Sequence, residues 1–204
     1  FYEKAVRLQQ KYAKPGMQIK NSLQTNGTLI NDNWGKFFKR HNFLIGLSID
    51  GPPEIHNRYR KYRNGRDSYA DAVSGLDILK RYEVEFNLLT CVSVNNADHG
   101  LEVYQHFRDV LGAEFIQFIP IVERENETGY QEGGKLTRRS CTPQQYANFL
   151  ITIYNEWIQH DIGKVFVQIF DTTLASWVGE RPGLCVFEPT CGLGLVLEHN
   201  GDVY

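Results

Sequence analysis

The spacing of apolar positions switches period along this chain, and the switches set out the order of its elements. Residues 3–12 place Ala5, Val6, Leu8 and Tyr12 at helical spacing, and Pro15-Gly16 ends that helix. Met17, Ile19, Asn21 and Leu23 then alternate with polar partners, as in a strand over residues 17–23 that closes at the turn Thr25-Asn26-Gly27. Trp34, Phe37 and Phe38 predict a helix over residues 31–41, and FLIGLSI at 43–49 is a nearly continuous apolar run, the pattern of a strand covered on both faces. The block repeats: helix over 69–82, strand over 84–94, helix over 98–111, strand over 114–119. Alternating helices and apolar strands mean an α/β fold with parallel strands joined by helical crossovers. Periodicity does not separate a (β/α) barrel from an open doubly wound sheet.

Polar or turn-forming residues follow each strand, namely Gln24-Thr25-Asn26, Asp50-Gly51-Pro52, Asn95-Asn96 and the stretch after Pro120. In parallel α/β folds that carboxyl edge is where ligands bind. The segment VERENETGYQEGGKLTRRS has no apolar period and reads as a surface excursion able to contact a partner. Thr142-Pro143 then opens a helix to residue 160, residues 165–170 alternate like a short strand, and Asp171 is placed to cap a following helix through Trp177. From Gly183 the chain turns to Cys, Gly and a hairpin-like GLVLEHNGDVY with the turn signal Asn200-Gly201. The start inside an amphipathic pattern without Met, and the stop at Val203-Tyr204 where a strand begins, lead us to expect a piece of a longer protein.

Composition narrows the classes. Among 204 residues, 42% are hydrophobic and 23% charged, which is ordinary for a folded globular chain and excludes a disordered or low-complexity one. A formal charge of −2 offers no broad positive field for a polyphosphate backbone, so no nucleic-acid partner is expected. No apolar run approaches the roughly 20 residues that span a bilayer, and the first residues are no signal peptide, so the expectation is a cytoplasmic protein without membrane attachment. Four cysteines, unevenly placed, make no disulfide framework.

Three groups could carry chemistry. Cys185 and Cys191, spaced C-x5-C, are either two reduced surface thiols or two thiolate ligands of a zinc or iron–sulfur site that needs about four. Cys91 lies mid-strand and reads as core. At the end of the 43–49 strand, Ser48 could hydrogen-bond a ligand hydroxyl and Arg60 could form a bidentate pair with a carboxylate; equally, Asp50-Gly51-Pro52 could be a plain turn and Arg58 to Arg66 a solvated face. Gln24, Thr25 and Asn26 offer polar side chains at the same edge, or an Asx-type turn. The six histidines show no H-x-x-x-H pair, and no G-x-S-x-G, P-loop or G-x-G-x-x-G follows a strand, which argues against hydrolase, nucleotidase and dinucleotide-binding readings.

Taken together, SLQTNGTLI at 22–30, GLSIDGPPEIHNRYR at 46–60, FIQFIP at 115–120 and PTCGLGLVLEHNGDVY at 189–204 resemble the anaerobic sulfatase-maturating enzymes. These are radical S-adenosylmethionine (SAM) enzymes with a C-terminal SPASM domain. The resemblance implies a partial radical SAM-type (β/α), TIM-like barrel over residues 1–182 and the start of the SPASM extension, an auxiliary iron–sulfur domain, over 183–204. The family's C-x3-C-x2-C and GGEP motifs are absent, so the ligands of its SAM-cleaving [4Fe–4S] cluster are missing and no catalytic residue is expected within this chain.

By the same resemblance, Ser48 contacts the SAM ribose or carboxylate region and Arg60 its carboxylate. Gln24 and Asn26 line that edge, Ile121 borders the adenine, and Cys185 and Cys191 are ligands of an auxiliary [4Fe–4S] cluster. The implied reaction oxidises an active-site Cys or Ser of a sulfatase polypeptide to Cα-formylglycine, with electrons from a reductant such as flavodoxin or ferredoxin. The alternatives are another SPASM-type enzyme that modifies peptides, and a non-enzymatic peptide-binding or regulatory α/β domain.

Overall fold

The computed structural model describes residues 1–128, 130, 132–190, 194–198 and 200–203. Helix α1 (Tyr2–Tyr12) precedes β1 (Asn21–Thr25), and α2 (Asp32–Arg40) leads to β2 (Phe43–Ser48). Two helices, α3 (Pro53–Tyr59) and α4 (Tyr69–Arg81), lie between β2 and β3 (Phe86–Val92). Next come α5 (Gly100–Gln105), running straight into a π-helical turn at His106–Val110, and β4 (Phe115–Pro120). The described elements end with α6 (Pro143–His160), β5 (Phe166–Val167), α7 (Gln168–Trp177) and a 3-10 turn at Cys185–Phe187.

The five strands are all parallel and stand in the order β1-β2-β3-β4-β5. A doubly wound sheet reverses its strand order at a switch point; here every crossover advances the same way, as in a barrel. The helices confirm it by sharing one face. Leu47, Ile49, Leu88, Val92, Ile116, Phe118 and Val167 pack with Ile55 of α3, Leu76 of α4, Tyr104 of α5, Trp157 of α6 and Phe170 of α7. Val6 of α1 and Phe38 of α2 continue that layer over Phe43 and Ile45.

Because side chains alternate along a strand, the opposite face carries Gln24, Leu44, Gly46, Ser48, Asn87, Leu89, Cys91, Phe115, Gln117 and Ile119. Among the described residues no helix lies over this face. The expectation that the 43–49 run is covered on both faces is therefore corrected: its unbroken apolar pattern comes from Leu44 and Gly46 on the inner face, not from a second helical layer. Gly46 keeps that face flat, since a Cβ there would come within 2.6 Å of Leu89 and 3.2 Å of Gln24.

Other differences are local. The first strand begins at Asn21, four residues later than the alternation from Met17 suggests. The 165–170 alternation yields only a two-residue strand, after which Gln168 already starts α7. Asp171 lies inside the first turn of α7 and makes no cap, the N-cap being Val167. Its Oδ2 is buried without a partner among the described residues, and burial raises its carboxyl above the ordinary range. The capping box predicted by Thr142 at the start of α6 is formed, with Gln145 as its reciprocal partner. No described helix is long and apolar enough to cross a membrane.

Candidate functional site

The site is built where β2 turns outward. Gly51 makes that turn with φ +143, where a Cβ would press against Val103 and Ile55 at 3.0 and 3.1 Å, and Pro52 then caps α3, which starts at Pro53. The turn leaves Asp50 buried at the end of β2 and returns the chain at Arg60, the C-cap of α3. The two side chains meet in a bidentate pair, Arg60 Nε donating to Asp50 Oδ2 at 2.6 Å and Nη2 to Oδ1 at 3.1 Å. Asp50 Oδ1 also accepts the backbone N–H of Cys91 at 3.0 Å, which ties β3 to the pair. Burial opposes the charge on Arg60, but the adjacent Asp50 carboxylate outweighs it and leaves the guanidinium above its ordinary pKa.

Around this pair the carboxyl edge is closely hydrogen-bonded. Asn96 Nδ2 donates to Asp50 O and Cys91 O, both at 3.0 Å, and its Oδ1 accepts Ser93 N–H. Arg58 donates to Asn95 Oδ1 at 2.7 Å, and Asn95 in turn donates to Ile55 O. The Asn95-Asn96 pair after β3, legible in the sequence only as a turn signal, thus clamps β2, β3 and α3 together. Behind the pair, Asp50 N–H donates to His56 Nδ1 at 3.3 Å, His56 Nε2 lies 3.2 Å from Ser68 Oγ, and that hydroxyl donates to Arg60 O at 2.6 Å. Burial holds the His56 imidazole down to a pKa of about 4, Asp50 opposing and Arg60 adding to the effect.

The residues singled out in the sequence fall around the same edge. Ser48 is half-buried on the inner face, level with Leu89 of β3 and, one strand further, Gln117 of β4. Gln24 is exposed on the same face, level with Gly46. Ile121 extends β4 by one rung, its N–H bonding Val92 O at 2.8 Å. Asn26 makes the Asx-type turn, accepting from the N–H and hydroxyl of Thr28.

Cys91 is not core. Its side chain is half-buried on the inner face with Sγ 3.7 Å from Arg60 Nη2, and burial together with Asp50 raises its thiol pKa. Mid-strand position suggested burial; the alternation of β3, which turns Thr90 and Val92 into the helical layer, turns Cys91 the other way. The excursion after β4 borders the edge as a short antiparallel hairpin, paired at Arg124–Leu136 and pinned just past the end of β3 at Ser93–Ser140, with Arg139 bound to Glu123 and lying over the Tyr59 ring.

Cys185 is exposed on the 3-10 turn, and Cys191 lies outside the described residues. Cys141 is buried against Val92 O. Among the described residues no three His, Cys, Asp or Glu side chains are grouped to hold a metal ion. A concavity of about 820 Å³ opens elsewhere, at the amino-terminal ends of β2 to β4 beside Leu44, Phe86 and Phe115. It carries none of the polar groups above, so the chemistry belongs to the open carboxyl edge.

A one-way-wound parallel sheet, helices on one face and a partly buried arginine–carboxylate pair at the carboxyl edge of the other together define a partial (β/α) barrel with a ligand edge. No family model matches the chain. Its full length is 45% identical to a serine-type anaerobic sulfatase-maturating enzyme of Bacteroides thetaiotaomicron, covering 51% of that protein, and 37% identical to a cysteine-type enzyme of Clostridium perfringens, covering 54%. A structure of native anSMEcpe with bound AdoMet and Cp18Cys peptide superposes on the whole chain with a TM-score of 0.86 at 36% identity, covering 55% of that structure. Over the half of their length that it spans, this chain is a homologue of the anaerobic sulfatase-maturating enzymes and has their fold.

Proposed function

We propose that this chain is the SAM-holding part of a radical SAM enzyme that oxidises a sulfatase Cys or Ser to Cα-formylglycine. The observation that carries the reading is the Arg60–Asp50 pair beside Ser48 at the open edge of a sheet that superposes on an AdoMet-bound relative. With Nε and Nη2 held by Asp50, Arg60 keeps Nη1 outside that pair, and this is the group that would meet the methionyl carboxylate. Ser48, Gln24 and Asn26 supply hydroxyl and amide groups toward the ribose and amino-acid end, and Ile121 an apolar side chain toward the adenine. The flat floor at Gly46 leaves room for a ligand between Gln24 and Leu89. SAM, when bound and reductively cleaved, supplies the radical that takes a hydrogen from the substrate; the residues here bind it, orient it and screen one side from water.

The described residues do not by themselves fit a [4Fe–4S] cluster, which needs about four thiolates. We assign Cys185, exposed on its turn, and Cys191 as two ligands of an auxiliary cluster completed by residues outside this chain, and derive no step from it. Among the described residues the strands end with β5 and the α-helices with α7, which supports assigning residues 1–182 to the barrel and 183–204 to the start of the SPASM domain. In this reading the protein works in the cytoplasm, on a sulfatase-derived polypeptide, with electrons from a flavodoxin or ferredoxin. The peptide-bound relatives support the polypeptide substrate.

Calorimetric titration tests the assignment. Arg60→Ala is expected to weaken SAM binding by roughly 10- to 100-fold, the worth of a charge-assisted hydrogen bond, and Ser48→Ala by less than about tenfold. Unchanged affinity in Arg60→Ala would overturn it.

A further inference from the structure

Arg60 sits at the end of α3, a helix of only seven residues, and Asp50 lies just before the helix starts. Two independent ties close this short segment. One is the side-chain pair already described. The other runs behind it through backbone groups: Asp50 N–H to His56 Nδ1, His56 Nε2 to Ser68 Oγ, and Ser68 Oγ–H to Arg60 O.

The proton positions in this chain follow from its ends. A backbone N–H can only donate, so His56 Nδ1 must be the bare acceptor; a neutral ring then carries its proton on Nε2 and donates to Ser68. The Ser68 hydroxyl donates its own hydrogen bond to Arg60 O. All members are buried or nearly so, His56 at 1% and Ser68 at 8% exposure.

The use of Ser68 is informative. It is the N-cap of α4, where a serine hydroxyl ordinarily accepts from the first-turn N–H groups, yet it makes no such bond. Asn57 Oδ1 takes the N–H groups of Ser68 and Tyr69 instead, at 3.1 and 3.0 Å. The hydroxyl is thereby left for His56 and Arg60, and the start of α4 is tied to the clamp rather than capped by its own residue.

We infer that His56 is a positioning residue of the carboxylate clamp: through Asp50 N–H on one side and Ser68 on the other, it sets where the Arg60 guanidinium stands. The inference rests on the proposed role of Arg60. His56 is buried behind the pair and acts only through the two backbone positions that carry it.

The test uses two probes, SAM and 5′-methylthioadenosine, which shares the adenosine and sulfur but lacks the amino-acid carboxylate. In the wild-type chain and in His56→Ala, His56→Gln and Ser68→Ala, each dissociation constant is measured by calorimetry, with near-ultraviolet circular dichroism as the check on packing. His56→Ala is expected to weaken SAM by about tenfold and 5′-methylthioadenosine by less than about twofold. His56→Gln, which keeps an acceptor and a donor, should recover part of the loss. Ser68→Ala, which removes the hydroxyl between His56 and Arg60 and leaves the Asp50 N–H to His56 bond in place, should show the same selective loss at smaller size, and it stands in if His56→Ala does not fold. Equal losses on both probes, or none on either, would overturn the positioning role while leaving Arg60 as the carboxylate partner. A wild-type chain that binds the two probes equally would overturn the carboxylate clamp itself, and the inference with it.

Discussion

The His56 ring is neutral in the fold because burial disfavours its charge more than Asp50 favours it, and Arg60 adds to the depression; the third neighbour, the Tyr69 ring at 5.5 Å, adds only an aromatic edge. Its folded pKa of about 4 lies below the ordinary 6.5, so the unfolded chain takes up the proton first as pH falls. The stabilisation is complete above pH 6.5, drains away between 6.5 and about 4, and amounts at most to about 3 kcal/mol. Urea unfolding at pH 7 and pH 4.5 should therefore show a steeper loss in wild type than in His56→Gln; parallel losses would contradict this. Sequence nominated Ser48 and Arg60 by their place after a strand. It did not nominate Asp50, His56, Ser68 or Asn96 as a set, because their contacts join positions 6 to 46 residues apart and leave no local period. Cys91 was misread for the same reason: which way a strand residue points depends on the layer packed against it.

Most elements were legible. Those read from helical period or apolar runs, α1, α2, β2, α4, β3, β4 and α6, begin and end within a few residues of the expectation. What escaped was short or lacked a period. Helix α3 has seven residues and no apolar stripe, and β5 is two residues long because Gln168 already starts α7. The expected helix over 98–111 is α-helical only to Gln105; it then widens into the π-turn, where Arg108 bonds both Glu156 and Asp161. Helix α4 also shows how packing overrides propensity. Gly75 lies inside it, where alanine would ordinarily add about 1 kcal/mol, but a Cβ there would stand 2.3 Å from Gly27 O in the turn after β1. Gly75→Ala should lower stability by about 1–3 kcal/mol in urea titration, since backbone on both sides must give way. A stabilised variant would mean that the β1 turn moves aside freely.

At the scale of the whole molecule, the inner face and the two outer strands dominate behaviour. Phe115 and Phe166 stack at 5.0 Å with 45% and 38% of their surfaces exposed, and Ile119, further along the same face of β4, is 40% exposed. Strands β1 and β5 stand at the ends of the sheet. A sheet with an open apolar face and unpaired edges associates. Sedimentation velocity should show concentration-dependent self-association of this chain, reduced in Phe115→Ser; a stable monomer at all concentrations would count against it.

The chain spans about half the length of the curated relatives it matches, and within that half the sequence by itself determined the alternation of strands and helices, the parallel class and the polar carboxyl edge. These are properties of local period and of the residues that end a strand, and they survive in any topology. Only the tertiary structure decided between barrel and doubly wound sheet, because strand order is set by which segments pair across the crossovers. Only it turned Cys91 inward, left the inner face without a helix among the described residues and gathered Asp50, His56, Ser68 and Asn96 behind Arg60. Those outcomes depend on side chains brought together by packing, and no spacing along the chain encodes them.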